Sequence, residues 1–454
     1  MLRILNTLTG QKEEFIPHNA PNVLMYVCGV TPYSDSHVGH GMSYVVFDVM
    51  KRYMKYKGYS VKHIQNFTDI DDKIIARAAE NGSTSAELSQ EFIEAYFSDM
   101  DLLGIEKAEY YPLATQEIPK IIEMIEGLIE KGFAYQAGGD VYYRVNSFKS
   151  YGKLSHRTLD GMMAGARVAI SESKENPLDF TLWKKSKPGE PYWDSPWGIG
   201  RPGWHIECSA MSLEYLGESL DIHGGGADLL FPHHENEIAQ SEAFTGSDPF
   251  SKYWVHHGLL RLGDEKMSKS IGNLVTIRDA VSQFGKDPFR IFVLTSHYRN
   301  PLTWSEEILA GAVKACARLS RIVNTVTVGD KQVLDPATYR EQFEIAMDDD
   351  FNTPQALAIL FDLSRDINRS AKKGEDVQKL RNLVTELSQL LGLDLEQKNS
   401  QGEQADSFIE LLITLRTQFR DEKNFGMADF IRDELEKLGV SIEDSNDGTE
   451  WDFS

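Results

Sequence analysis

An apolar run, a tight turn, a helix pattern and a second apolar run follow one another early in the chain, and this order constrains the fold more than any other feature. Asn22 to Cys28 (NVLMYVC) reads as a buried strand. Gly29 and the turn-rich Thr31-Pro32-Tyr33-Ser34-Asp35-Ser36 follow it. A helix pattern then runs from near Val38 to about Lys57, with Val45, Val46, Val49 and Met50 on its apolar face and Gly58 as its terminator. Val61 to Phe67 (VKHIQNF) is a second strand. Two strands joined by a helix form a βαβ unit, which implies a parallel sheet. Ligands of such sheets sit at the carboxyl ends of the strands, where Cys28 and the His37 turn are expected.

Beyond this unit the pattern changes twice. From about Ile105 to Pro196, a helix around Ile118 to Lys131 is followed by short strand-like pieces such as Gly139 to Val145 and by Pro- and Gly-rich loops, which read as an insertion. Gly203 to about Tyr298 restores α/β character. Helical patterns then cover roughly 305–326, 337–347, 354–372 and 376–392. Gln397 to Glu403 reads as a linker, and Asp406 to Ser454 as a compact tail with two helices and a turn at Ser445-Asn446-Asp447-Gly448. No internal repeat or low-complexity tract interrupts the chain.

Its 454 residues exceed one ordinary domain. No apolar run approaches the ~20 residues that cross a bilayer, and Met1 to Phe15 carries no apolar targeting core, so a soluble cytoplasmic protein is expected. The three cysteines, Cys28, Cys208 and Cys316, make no disulfide framework and fit a reducing compartment. Cys316 lies in a helical pattern and reads as a plain buried residue. The 47 basic and 69 acidic side chains leave a net charge of −22, which weighs against simple polyanion binding unless the basic groups cluster.

Two short motifs carry chemistry. His37-Val38-Gly39-His40 lies where a loop enters a helix, and a helix N-terminus offers free N–H groups and positive dipole character to phosphate. Gly39 lets a nucleotide approach the backbone. His37 and His40 can donate to an α-phosphate as charge develops on it; in isolation they could equally cap the helix. Lys266-Met267-Ser268-Lys269-Ser270 lies between Gly263 and Gly272, which suggests a mobile loop. Lys266 and Lys269 can neutralise a departing pyrophosphate. In this order the two motifs resemble the paired signatures of class I aminoacyl-tRNA synthetases.

Longer blocks narrow the resemblance. Met25-Tyr26-Val27-Cys28-Gly29, Asn66-Phe67-Thr68-Asp69-Ile70-Asp71-Asp72-Lys73, Gly203-Trp204-His205-Ile206-Glu207-Cys208-Ser209 and Phe231-Pro232-His233-His234-Glu235-Asn236-Glu237 resemble cysteinyl-tRNA synthetase, along essentially the whole chain. The resemblance implies ATP-dependent activation of L-cysteine, its transfer to tRNA-Cys, and magnesium accompanying ATP. It implies one zinc ion bound by Cys28, Cys208, His233 and Glu237. Residue chemistry alone supports this in part: His233 and Glu237 are spaced to share a helix face, and thiolates, imidazole and carboxylate suit zinc. By chemistry alone His234, His205, His223 and Glu207 compete as ligands. Zinc takes a thiolate far better than a hydroxyl, so cysteine is separated from serine without an editing domain. Thr68 and Trp204 match positions that close around the amino acid, although Trp204 also reads as core. His223 to Asp228 resembles the adenosine-binding segment, with His223, Gly225 and Asp228 joining Gly39 and Lys269 at ATP.

The implied fold is α/β: a class I synthetase nucleotide-binding, Rossmann-like parallel-sheet core with an insertion, a helical bundle and a small C-terminal domain. The expected divisions are 1–105 and 201–304 for the two halves of the core, 106–200 for the insertion, 305–396 for the bundle and 405–454 for an anticodon-binding domain. There Arg420, Asp429 and Asp444 match positions that contact anticodon bases. Residues 401–454 hold five basic and fourteen acidic side chains, and Trp451 is followed by Asp452-Phe453-Ser454 where the family has a basic tail. Met42 replaces the arginine common after the histidine motif. A monomer is expected. Two alternatives are a cysteine ligase of mycothiol synthesis, against which the tail argues, and an inactive tRNA-binding paralogue, against which the intact motifs argue.

Overall fold

Strand β1 (Asn22–Val30) and strand β2 (Ser60–Phe67) flank helix α1 (Val38–Tyr56), and β1 pairs with β2 in parallel, as the βαβ reading requires. In the computed structural model the described residues are 1–165, 173–262, 265–266, 275–323, 334–395, 400–438, 440–445 and 448–453. Val45, Val46, Val49 and Met50 of α1 are buried. Two further strands, β3 (Leu220–Gly226) and β4 (Ser251–His257), complete a sheet of order β4-β3-β1-β2 whose pairings are all parallel. Both faces of the sheet are covered, which is why its strands read as nearly continuous apolar runs. A Cβ on Gly29 would lie 1.6 Å from the Asn66 carbonyl oxygen, so only glycine lets β1 and β2 close together at their carboxyl ends. Gly224 is needed likewise, because a Cβ there would lie 2.4 Å from the Phe47 ring.

The chain goes from β1 to β2 on one side of the sheet and returns to β3 on the other. The switch in direction therefore falls between β1 and β3, the crevice where such sheets bind ligands. Helix α2 (Trp204–Leu216) leads into β3, and helix α3 (Glu235–Thr245) joins β3 to β4. Between Ile105 and Pro196 the structure has the helix Ile118–Glu130 and three strands, Ala134–Ala137, Asp140–Tyr143 and Phe180–Lys185, of a separate antiparallel sheet completed by Gly200–Pro202 just beyond. That sheet packs its own cluster around Ile121, Tyr143 and Trp183. The expected helices after Ser305 occur as Glu306–Val323, Pro336–Asp348, Thr353–Lys372 and Gln378–Leu390.

By internal contacts the chain forms two compact units, Met1–Leu395 and Glu396–Ser454. The second holds helices Ser400–Asp421 and Phe425–Lys437 and a hairpin of Val440–Ser445 with Gly448–Phe453. The linker expected at Gln397 to Glu403 is corrected in its second half: Ser400 already opens the long helix, since one Gly among polar residues does not prevent a helix whose later residues pack. Cys316 is half-buried rather than buried. No helix among the described residues is long and apolar enough to cross a membrane.

Candidate active site and metal cluster

The carboxyl ends of β1 and β3 and the start of α1 surround a cavity of about 380 Å³, within the size range of small-molecule sites. Cys28, Gly29, His37, Gly39, His40, Met42, Trp204, Gly226 and Asp228 are among its lining residues. His37 is the N-cap of α1: its Nδ1 accepts from the Gly39 N–H at 3.1 Å and the His40 N–H at 3.3 Å. The capping reading and the catalytic reading are therefore compatible. With Nδ1 used as acceptor, the neutral ring carries its proton on Nε2. The His37 and His40 rings stack with centroids 3.8 Å apart. Met42 is buried in the cavity wall and brings no charge to it.

The segment that begins at Val275 is tied to the start of α1 by backbone. The Val38 N–H donates to the Val275 carbonyl at 3.0 Å, and the Ile277 N–H donates to the Ser36 carbonyl at 3.1 Å. Arg278 reaches Asp35 at 3.2 Å and the buried Asp99 at 2.8 Å. Lys266 pairs with Arg261 across a short antiparallel ladder. The Lys266 side chain and Lys269, with the loop expected around them, lie outside the described residues.

Beside the cavity, polar groups converge on Cys28. Its Sγ lies 3.9 Å from Cys208 Sγ, 3.6 Å from His223 Nε2, 3.6 Å from His233 Nε2, 3.3 Å from His234 Nε2 and 3.4 Å from Glu237 Oε1. Cys28, His233, His234 and Glu237 form a buried group able to hold a metal ion, with donor atoms within 4.8 Å of one another. The fold brings Cys28 from β1, Cys208 from α2, His223 from β3, His233 and His234 from the segment entering α3, and Glu237 from α3 itself. His233 lies in a wide turn, Leu230–His234, where Phe231 is extended, and not on the helix that carries Glu237. The four-residue spacing still works: His233 Nε2 is 3.0 Å from Glu237 Oε1.

The electrostatics fit a cation. Burial would raise the Glu237 carboxyl, but His223 and His233 hold it well below the usual carboxylate range. Hydrogen bonding from Cys28 lowers the Cys208 thiol to about 6, while burial pushes Cys28 up. Burial disfavours protonated His233, yet Glu237 and Cys208 raise it to about 10. Two thiols, imidazoles and an ionised carboxylate in one dry cluster match the donor preferences of zinc. Supporting contacts orient the rings: His233 Nδ1 is 2.9 Å from His205 Nδ1, and His234 Nδ1 is 2.8 Å from His256 Nε2.

The other expected residues fall in different places. Trp204 is 42% exposed and stacks on His233 at 4.3 Å, so it is a wall of the cavity and not core. Thr68 is buried and donates its N–H to the Val30 carbonyl at 3.1 Å; it is not among the lining residues. His223 stands in the cluster beside Cys28, stacked on Trp254 at 4.4 Å, and is likewise not among the lining residues. Gly225 is buried, whereas Asp228 is exposed at the rim. Arg420 and Asp429 are exposed on the two helices of the second unit, where Asp429 pairs with Arg432 at 3.5 Å. The backbone of Asp444 pairs with Thr449 in the hairpin. Tyr33 and Lys73, which have no role in the motif reading, also line the cavity; the adjacency of Lys73 to Asp69-Ile70-Asp71-Asp72 is the signal that could have found it.

The comparisons extend over the whole chain. The family described as tRNA synthetases class I (C) catalytic domain matches residues 14–314, and the DALR domain matches 342–396. A cysteine--tRNA ligase of Dehalococcoides mccartyi is 56% identical over 99% of this chain and 99% of its own length. That of Carboxydothermus hydrogenoformans is 49% identical over 99% of both. Among solved structures, Mycobacterium tuberculosis methionyl-tRNA synthetase in complex with methionyl-adenylate aligns with a TM-score of 0.60 over 82% of this chain and 89% of its own, at 16% identity. That likeness concerns the fold alone.

Proposed function

The chain belongs to the cysteine--tRNA ligases of class I, so it is an enzyme joining L-cysteine to tRNA-Cys with ATP, and we propose that zinc held by Cys28, Cys208, His233 and Glu237 selects the amino acid. The observation that carries this reading is the convergence of two thiols, imidazoles and a carboxylate on one buried point beside a cavity bounded by His37 and His40. When bound there, zinc supplies a soft Lewis acid that accepts a thiolate and leaves the hydroxyl of serine poorly held. Between Cys208 and His234 as the fourth donor, Cys208 is favoured because a second thiolate softens the site.

Activation joins a cysteine carboxylate oxygen to the α-phosphorus of ATP and breaks the bond to the bridging oxygen, releasing pyrophosphate with its magnesium. His37, with its proton on Nε2, and His40 donate to the α-phosphate as charge builds there. Gly39 leaves room for the nucleotide, and Asp228 accepts from ribose hydroxyls, with Gly225 and His223 beneath that rim. Lys266 and Lys269 neutralise the leaving pyrophosphate. Trp204 and Thr68 enclose the amino acid from the wall and from behind the strand ends. Arg420, Asp429 and Asp444 read the anticodon, since acids accept from exocyclic amines and arginine donates to acceptor edges.

The test is ATP–pyrophosphate exchange with cysteine and with serine, before and after zinc removal. The expected result is zinc-dependent exchange with cysteine alone. Equal exchange with serine on zinc-loaded protein rejects the selection mechanism.

A further inference from the structure

Lys73 is the only lysine or arginine among the described residues lining the catalytic cavity, and the mechanism above gives it no task. It sits in the first turn of helix Asp72–Asn81, with its ammonium 5.5 Å from the centre of the Tyr33 ring. Tyr33 also lines the cavity, and its ring packs on the cluster of Ile74, Ala78 and Leu88. An aromatic face and a cation thus stand side by side on one wall.

Nearby carboxylates are engaged elsewhere. Asp72 is held by Lys184 at 2.8 Å and by Arg201. Asp35 pairs with Arg278 at 3.2 Å, and Asp69 accepts from Thr115 at 2.5 Å. Asp71 caps the helix through the Lys73 N–H at 2.8 Å. Among the described residues, no carboxylate forms an ion pair with Lys73. In a chain of net charge −22, a lysine on the cavity wall without a carboxylate ion pair is available to an anionic ligand.

Resting on the function proposed above, we infer that Lys73 and Tyr33 form the seat for the 3′-terminal nucleotide of tRNA during transfer: Lys73 meets its phosphodiester and Tyr33 its base or ribose face. Single-stranded nucleic acid is bound by this pairing of a cation on the backbone with an aromatic platform. The terminal hydroxyl must reach the carbonyl of the adenylate inside the cavity, so its phosphate has to enter acidic surroundings. With Met42 uncharged, Lys73 is the described cation of the wall that compensates it. Lys73 is a positioning residue, because it touches the acceptor and not the reacting atoms.

The two half-reactions separate this role from others. Lys73→Met, Lys73→Arg and the unaltered enzyme are compared in ATP–pyrophosphate exchange, which needs no tRNA, and in single-turnover transfer from preformed adenylate. For Lys73→Met the ratio of transfer to exchange should fall about ten- to a hundredfold, the loss of one charge-assisted phosphate contact. Lys73→Arg should restore most of it. The salt dependence of the KM for tRNA should flatten by about 0.7 in logarithmic slope, as expected for one phosphate of a single strand. Equal losses in both half-reactions, or no loss in either, overturn the inference. If the unaltered enzyme shows no exchange, the proposed function itself fails and the inference with it.

Discussion

The cavity of the first unit and the proposed anticodon residues of the second are built in opposite ways. Around Cys28 the side chains of Cys208, His233, His234 and Glu237 are buried and each lies within 3.9 Å of its sulfur, so folding has fixed the geometry before any substrate arrives. Arg420 and Asp429 stand exposed on helices, where an ion pair such as Asp429 with Arg432 contributes little. The first arrangement spends folding energy on preorganisation, and the second defers its ordering to binding. Substitutions in the cavity should therefore disturb chemistry, metal and stability together, whereas those in the tail should alter tRNA recognition alone.

The largest effect expected is at the cluster. Glu237→Ala removes the ionised carboxylate between His223 and His233 and should abolish stoichiometric zinc, measured by elemental analysis of purified protein. Cysteine-over-serine discrimination in exchange should fall from ~10⁴ towards ~10², the limit for a pocket that senses only size. His234→Ala tests the competing ligand set. If it costs as much zinc as Cys208→Ala, the fourth donor has been misassigned.

Next come the two histidines of the cavity. Either alanine variant should slow exchange by about 10²–10³-fold, the usual cost of losing a donor to developing charge. Only His37→Ala should also lower stability, by about 0.5–2 kcal/mol in urea unfolding, because only His37 caps α1. Equal destabilisation by His40→Ala would show that the cap does not distinguish them.

What the sequence made legible follows the same division. His37 and His40 share one turn of chain, and the pattern around Asn22 to Phe67 is local, so both the βαβ unit and the helix start that His37 caps are readable by eye. Cys28 and Cys208 lie 180 residues apart and meet only because β1 is flanked by β2 and β3. No spacing rule could pair them; the family resemblance did. The crowding of His223 and His234 against the same sulfur was hidden for the same reason, since burial and ring orientation are tertiary. The helix beginning at Ser400 was missed because polar, Gly-containing composition resembles a linker until its packing is known.

In the tail, Arg420→Ala and Asp429→Ala should leave exchange unchanged and raise the KM for tRNA-Cys by about 5- to 150-fold, the range for one base contact. Their stability should stay within about 0.5 kcal/mol of the unaltered protein. A fall in exchange would erase the contrast between the units by showing that the tail supports the cavity.

The smallest effect probes a buried group that, unlike those at the cluster, lacks hydrogen-bonding ring partners. His63 on β2 is buried, and neither ring nitrogen has a hydrogen-bond partner among the described residues. Burial first, and then Lys51, push it down to about 3, with Asp48 opposing and Lys55 adding to the fall. Above the unfolded value of 6.5 the ring is neutral in both states and its contribution is complete. As pH falls from 6.5 towards 3, the unfolded chain takes up a proton that the folded chain refuses. Stability should therefore drop by at most about 1.4 kcal/mol per pH unit through this group. His63→Leu removes the titration and keeps an apolar side chain in place. Urea midpoints between about pH 7 and 5 should fall less steeply for the variant than for the unaltered protein. Parallel curves would mean that the buried imidazole gains a partner or water when protonated, and that isolation inside the first unit is less complete than its packing indicates.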